Sequence, residues 1–209
     1  MGAETVLWGL LGYLSGSLPW GYIIARLRGV NIREHGSGNI GAANVARILG
    51  APYGVLVGIH DFLKGFIPTY FAFALYGPFT GLVTGVLAVV GAIFSVFLGF
   101  RGGKGFSCAF GAFVAMTVLT GQYGALAALL TIWFTIVLLT QMTGLANIVT
   151  IVAAVPVTAL AGSPVLTAYT LAVAILVMYS HRDNIILMLQ GDLESQRLDH
   201  RGKRRIRMG

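Results

Sequence analysis

Seven apolar runs, at about 5–25, 51–76, 79–100, 105–119, 122–140, 146–161 and 164–180, take up most of this 209-residue chain. Polar joints separate them, and every charged residue except Asp61 and Lys64 lies in those joints or at the two ends of the chain. No soluble core of this size could absorb that much apolar chain. Only 10% of residues are charged and the mean hydropathy is +0.83, the composition of a polytopic membrane protein. In lipid each backbone polar group must be satisfied within its own segment, and no alternating barrel pattern is visible. The expected fold is therefore all-α, a membrane bundle of about seven transmembrane helices. Several runs fall short of the ~20 residues that a perpendicular crossing needs, which predicts shifted boundaries or a re-entrant segment.

Charge sets the orientation. The first run has no basic residue before it, only Glu4, so it does not read as a signal peptide. Arg26 and Arg28 follow it, which puts the N-terminus outside and residues 26–50 inside. Alternation through seven spans then places every Lys and Arg except Lys64 on the cytoplasmic side, with the C-terminus in. The chain reads as one integral-membrane domain over 1–192 and a basic cytoplasmic tail over 193–209. The tail reads first as a solvated topology signal, and second as a contact for anionic lipid at about 1 kcal/mol per basic residue. The lone Cys108 has no partner for a disulfide or a metal and reads as a small packing residue.

Four polar clusters interrupt the apolar pattern. The first runs from Gly36 through Ser37, Gly38, Asn39, Ile40, Gly41 and Asn44 to Arg47. A glycine-rich turn entering a helix, with Ser, Asn and Arg, suits an oxyanion: amides and helix dipole favour it, and Arg can clamp it. It also matches G-x-G-x-x-G, but an apolar helix precedes it where a dinucleotide fold needs a strand. The second cluster is Arg101-Gly102-Gly103-Lys104-Gly105. It is not a P-loop, because Leu98 and Gly105 stand where that motif needs Gly and Ser/Thr. It still offers close backbone approach and a point charge at a helix start. The third cluster, His181-Arg182-Asp183-Asn184, ends the last run on the same predicted side. The fourth is His60-Asp61 with Lys64 and Gly65 inside the second run, where carboxylate and ammonium three apart can pair. At membrane depth such a pair is either part of a site or the pin of a helix break at Gly65.

Together the strings GSGNIGAANVAR at 36–47, DFLKG at 61–65, FRGGKG at 100–105 and HRDNI at 181–185 resemble one family over nearly the whole chain. It is the bacterial membrane glycerol-3-phosphate acyltransferase that uses acyl phosphate as donor, the PlsY family. The resemblance implies a seven-helix bundle of the bacterial cytoplasmic membrane with its site open to the cytoplasm. It also implies acyl transfer from acyl phosphate to sn-glycerol 3-phosphate, yielding lysophosphatidic acid and phosphate in phospholipid synthesis. It brings Ser37, Asn39, Arg47, Lys104, His181 and Asn184 into the site. With the glycine turns, the catalytic set is then Ser37, Arg47, Lys104 and Asn184. The substrate-binding set is Gly36, Gly38, Asn39, Gly41, Asn44, Arg101, Gly102, Gly103 and His181. Acyl phosphate, glycerol 3-phosphate and membrane lipids are the implied partners. No cofactor, metal or nucleic acid is expected, and a monomer is compatible with the pattern.

The chain departs from that family at several positions. Ala92 follows Gly91 where the family has His, Leu187 replaces Arg, Leu193 replaces Glu, and Arg101 replaces Lys. A straight third span would put Ala92, nine residues before Arg101, ~13.5 Å deeper than the phosphate loops. Two other function classes stay open. One is a transporter for a phosphorylated solute, although only His60, Asp61 and Lys64 lie at depth. The other is a catalytically weakened, lipid-binding paralogue, which the departures motivate. Acyltransferases with an H-x-x-x-x-D motif are excluded, since no His here is followed by Asp at that spacing.

Overall fold

The structure, a computed structural model, describes residues 2–191, and its regular elements are all helical. The basic tail over 193–209, with Leu193, lies outside the described residues. In chain order the helices are α1 (Ala3–Ser17), α2 (Trp20–Leu27), α3 (Ala42–Leu49), α4 (Ala51–Ile93), α5 (Phe106–Thr120), α6 (Tyr123–Thr140), α7 (Thr143–Leu160), α8 (Pro164–Ser180) and α9 (Arg182–Leu189). By length and composition α6, α7 and the stretch Ala51–Leu98 can each cross a membrane; α8 and α9 qualify only as a pair, bent by 61°.

The run expected over 5–25 is two helices. Leu18 is held at φ −59°, ψ 117°, because the ring of Pro19 disfavours helical geometry in the residue before it. The expected runs 51–76 and 79–100 are the two arms of α4. They meet at Gly77, whose φ of 86° suits only glycine, and Pro78 opens the second arm with its φ already fixed. Thr69 lies against Gly85 and Phe73 against Gly81, so the arms fold back antiparallel.

Small residues set the packing. A Cβ on Gly12 or Gly16 of α1 would overlap the carbonyl oxygens of Thr84 or Ala88, so α1 lies directly on the second arm. Gly65 and Gly111 bring the first arm and α5 together in the same way, with Cys108 buried between them. Without a hydrophobic drive between helices in lipid, this close backbone contact supplies the attraction. Buried polar groups find partners across it: Thr5 with Thr80 at 2.9 Å, and Tyr169 donating to the Ala109 carbonyl at 2.8 Å.

Asp61 and Lys64 pair at 2.8 Å. The helix does not break at Gly65, as their setting predicted; it continues through it. The break they serve is on the neighbouring helix. The Lys64 ammonium also donates to the Leu18 carbonyl at 3.2 Å, at the α1–α2 corner, and Trp20 packs on His60 with ring centroids 4.4 Å apart.

Candidate active site

Three segments meet at one end of the bundle. The first is the loop from Gly36 to Gly41, built around Asn44 in the first turn of α3. The Asn44 side chain is buried. Its oxygen accepts the Ser37 amide at 2.9 Å, and its nitrogen donates to the carbonyls of Asn39 at 2.9 Å and His35 at 3.1 Å. Gly36 and Gly38 take φ of 57° and 69°, which the tight return of the loop needs. The Gly38 amide donates to the His35 carbonyl at 3.0 Å and the Asn39 amide to the Ser37 hydroxyl at 3.4 Å. The amides of Ser37, Gly38 and Asn39 are thus engaged by the loop itself or by Asn44. At the start of α3 the Asn44 amide donates to the Gly41 carbonyl at 3.2 Å, and the Ala42 and Ala43 amides, which the helix cannot satisfy internally, are donors for an anion. Arg47 stands half-buried in the last turn of the same helix.

The loop has a direct test. Asn44→Ala removes these three hydrogen bonds, worth about 0.5–1.5 kcal/mol each, and a longer one to the Ile32 carbonyl at 3.5 Å. Hydrogen exchange at residues 35–41 is expected to rise by one to two orders of magnitude, with the rest of the bundle unchanged. Unaltered protection there would show that Asn44 does not hold the loop.

The second segment is Arg101–Gly105. The second arm of α4 ends at Ile93, and the chain turns back through a 3-10 turn at Val96–Leu98. Gly102 then donates to the Ile93 carbonyl at 2.9 Å and Gly103 to the Ala92 carbonyl at 2.8 Å. Ala92 is therefore not a helix length below the loop, as a straight span predicted, but hydrogen-bonded to it. Those two glycine amides consequently face the α4 terminus. Arg101 is exposed, and its carbonyl accepts the guanidinium of Arg33. Gly103 lies against Asn39 and Ile40, so the first two loops touch.

The third segment is the corner between α8 and α9. Ser180 donates to the Lys104 carbonyl at 2.8 Å, and the Lys104 ammonium donates to the Asn184 side-chain oxygen. Lys104 is thus held at backbone and side chain by one corner. His181 is fully buried. Burial, with Lys104 nearby, pushes its pKa down to about 4 although the Val177 carbonyl opposes the shift, so the ring is neutral at physiological pH. Its Nδ1 donates to the Val177 carbonyl at 2.9 Å, which leaves Nε2 to accept from Asn147 at 3.4 Å. Asn147 in turn accepts the Trp133 indole N–H at 2.9 Å.

The geometry thus joins Ser37, Asn39 and the Gly36–Gly41 turn to Gly103, and Lys104 to Asn184. It gives Asn44 and His181 interior partners, and leaves Arg101, Arg182 and Asp183 exposed. Leu187 is half-buried on α9. Sequence reasoning did not pick out Arg33, Ser180, Asn147 or Trp133. Arg33 is indistinguishable in the sequence from a topology charge. Asn147 leaves a faint signal, as a lone amide in an apolar run. Among the described residues no three His, Cys, Asp or Glu side chains come together. Behind Lys104 an apolar cavity of about 180 Å³ begins at Phe106 and runs past Phe110, Phe113 and Trp133 to Tyr169.

The chain as a whole matches known proteins. A family model described as glycerol-3-phosphate acyltransferase matches residues 6–191. A glycerol-3-phosphate acyltransferase of Aquifex aeolicus is 39% identical over 185 residues, 87% of this chain and 94% of that protein. One from Staphylococcus saprophyticus is 34% identical over 193 residues, 88% of this chain and 93% of that protein. The fold superposes on the crystal structure of PlsY, an integral membrane glycerol 3-phosphate acyltransferase, in its glycerol 3-phosphate form. That match has TM-score 0.84 and 36% identity, and covers 90% of this chain and 94% of that one. The form with lysophosphatidic acid gives TM-score 0.82 at the same identity. An all-helical bundle with paired glycine loops and a lysine fixed by the last corner, matched along almost its whole length, belongs to the glycerol-3-phosphate acyltransferase family.

Proposed function

We propose that this chain transfers an acyl group from acyl phosphate to the 1-hydroxyl of sn-glycerol 3-phosphate, at the cytoplasmic face of a bacterial cytoplasmic membrane. The observation that carries this reading is the fixed position of Lys104, with its carbonyl on Ser180, its ammonium on Asn184 and the glycine turn of the first loop alongside. Two anionic substrates must meet here, and positive charge supplied before they bind offsets their repulsion. Arg47 offers a planar fork and Lys104 a point charge for phosphate oxygens; Ser37 and the first-turn amides of α3 complete the cradle. Asn39 and Gly103 close the floor between the loops. The apolar cavity behind Lys104 takes the acyl chain.

The hydroxyl oxygen of glycerol 3-phosphate forms a bond to the acyl carbonyl carbon, and the bond from that carbon to the phosphate oxygen breaks. Phosphate leaves with the electron pair. The hydroxyl proton passes to a phosphate oxygen, so no protein base is needed, and the buried ring of His181 is not offered as one. Acyl phosphate is already activated, and the residues chiefly place and neutralise. A transporter reading gains nothing from the depth pair, because Asp61 and Lys64 neutralise each other against α1.

The deciding measurement is phosphate release from acyl phosphate by purified protein in lipid, with and without glycerol 3-phosphate. Release that requires both substrates, with lysophosphatidic acid formed in equal amount, is the expected result. Release indifferent to glycerol 3-phosphate would overturn the reading.

Seven crossings with the N-terminus outside fit the antiparallel order of α1, the two arms of α4, and α5 to α8. In a Cys108→Ser background, single cysteines at the exposed Tyr123 and Pro164 are expected to label from outside, and one at the exposed Glu34 only from inside. The opposite pattern at any of them would overturn the arrangement.

A further inference from the structure

We propose that Asn147 and Trp133 are positioning residues for this acyl transfer: they fix the ring of His181, and through it the α8–α9 corner that sets Asn184 on Lys104. The inference rests on the acyl-transfer reading above. It starts from a residue that the family motifs do not include. Asn147 is the only amide in α7, a helix whose other polar side chains are threonines and which packs against α6 and α8. An amide there is costly unless both its ends are satisfied. Both are, by a side chain of α6 and by His181 at the end of α8. The Asn147 oxygen accepts the Trp133 N–H of α6 at 2.9 Å, which orients the amide. Its nitrogen then faces His181 Nε2 at 3.4 Å. The ring is held on its other side by the Val177 carbonyl at 2.9 Å, with the Ser180 hydroxyl 3.3 Å away.

The corner begins at this ring. Ser180 and His181 are consecutive, and the His181 carbonyl accepts the Ile185 amide at 3.0 Å, opening α9. Asn184 sits in the first turn of α9, and Ser180 grips the Lys104 carbonyl. A rotation of the His181 ring therefore moves both grips on Lys104 together. Trp133 also lines the apolar cavity, so the chain of hydrogen bonds runs from the wall where the acyl chain is placed to the lysine where the phosphates are placed.

The charged and titratable groups around His181 are few. Lys104 approaches from the loop before α5. Arg182 and Asp183, next in sequence, are exposed, and α8 itself carries Tyr169 and Tyr179. From α6 the one titratable side chain is Tyr123, at its far end; α7 has none, and α5 has only Cys108. A carboxylate at 147 would therefore be the one new charge on the ring. With Nδ1 already protonated, Nε2 would take up a second proton from solvent and donate it as a hydrogen bond to that carboxylate, converting a neutral ring to imidazolium.

The test uses full-length protein in lipid nanodiscs with three variants: Asn147→Leu, Asn147→Asp and Trp133→Phe. Imidazole 15N shifts report the His181 tautomer, and initial rates report kcat, KM and their pH dependence. Asn147→Leu is expected to release the tautomer and lower kcat by about tenfold to 100-fold, as a misplacement near 1 Å does, with the KM for acyl phosphate little changed. Asn147→Asp is expected to give imidazolium shifts, and a fall in activity on acidification through about pH 6–8 that the wild type lacks. Trp133→Phe keeps the ring and removes the donor, and is expected to lower kcat by about threefold to tenfold. If Asn147→Leu does not fold, the other two decide. Wild-type kcat, KM and pH profile in the folded variants, or an unchanged His181 tautomer, would overturn the proposal. A wild type without glycerol-3-phosphate-dependent phosphate release would instead overturn the acyl-transfer reading, and the 15N shifts would still show whether Asn147 sets the ring.

Discussion

Lys104→Ala is expected to reduce turnover by at least one to two orders of magnitude while the bundle stays folded. A charge-assisted hydrogen bond to phosphate is worth about 1.5–3 kcal/mol, and each 1.4 kcal/mol is about tenfold in rate. The loss is larger where water is excluded, and Lys104 is half-buried among three glycines. The substitution is a clean one for a structural reason. Ser180 holds residue 104 through its carbonyl, which alanine keeps, so the loop retains that tie. Asn184 loses its ammonium partner but lies half-buried. Lys104→Arg serves as the control. It keeps the charge but brings a planar fork in place of a compact ammonium, and intermediate activity is expected. The measurement is initial rate per folded protein, with thermal stability in parallel. Near-normal turnover in Lys104→Ala would remove this residue from the site.

The all-helical class was legible because lipid leaves few alternatives, and the apolar runs matched helical segments closely after residue 100. Two boundaries were not legible, for different reasons. The run 79–100 stays apolar past the end of the helix, since Phe94, Val96, Phe97, Leu98 and Phe100 follow Ile93. Hydropathy reports depth, not hydrogen bonding, and could not show that the chain reverses there. Phe97 and Phe100, 56% and 62% exposed, face outward. That reversal places Ala92 beside Gly103, so the histidine that the resemblance implied at this position would stand at the loop. The break at Pro19 did have a local signal, which the continuous apolar run from 5 to 25 outweighed.

The candidate site was legible as loops and hardly at all as contacts. Glycine, Ser, Asn and basic residues announced the anion chemistry. Which polar groups face inward depends on the meeting of distant segments. Asn44 and His181 look like ligand residues in the sequence, but each is surrounded by carbonyl or amide partners from its own structure. Asn147 and Ser180 carry no motif at all.

The Asp61–Lys64 pair yields the largest expected change in stability. Lys64 is 9% exposed, and its ammonium lies between the Asp61 carboxylate at 2.8 Å and the Leu18 carbonyl at 3.2 Å. Removing one member leaves the other charge without its partner in a medium that solvates it poorly. Breaking a buried pair in this way costs about 3–5 kcal/mol, whereas removing both charges is often neutral. Lys64→Met is therefore expected to lower the thermal midpoint by roughly 6–20 °C for a chain of this size. Asp61→Asn alone should be nearly as harmful, since the ammonium then has neutral acceptors and no counter-charge. The double variant Asp61→Asn/Lys64→Met should recover most of the stability. It should not recover full turnover. The Leu18 carbonyl loses its ammonium donor at the corner where α2 begins, and Gly21 of α2 carries the Ile40 carbonyl of the first loop. A pair that only stabilised would return activity along with stability, and a pair that belonged to the site would lose activity in every variant however stable. Stability restored with turnover still reduced, and the acyl phosphate KM unchanged, would assign the pair to holding the α1–α2 corner under the loop. Wild-type stability in Lys64→Met would refute the buried-pair account.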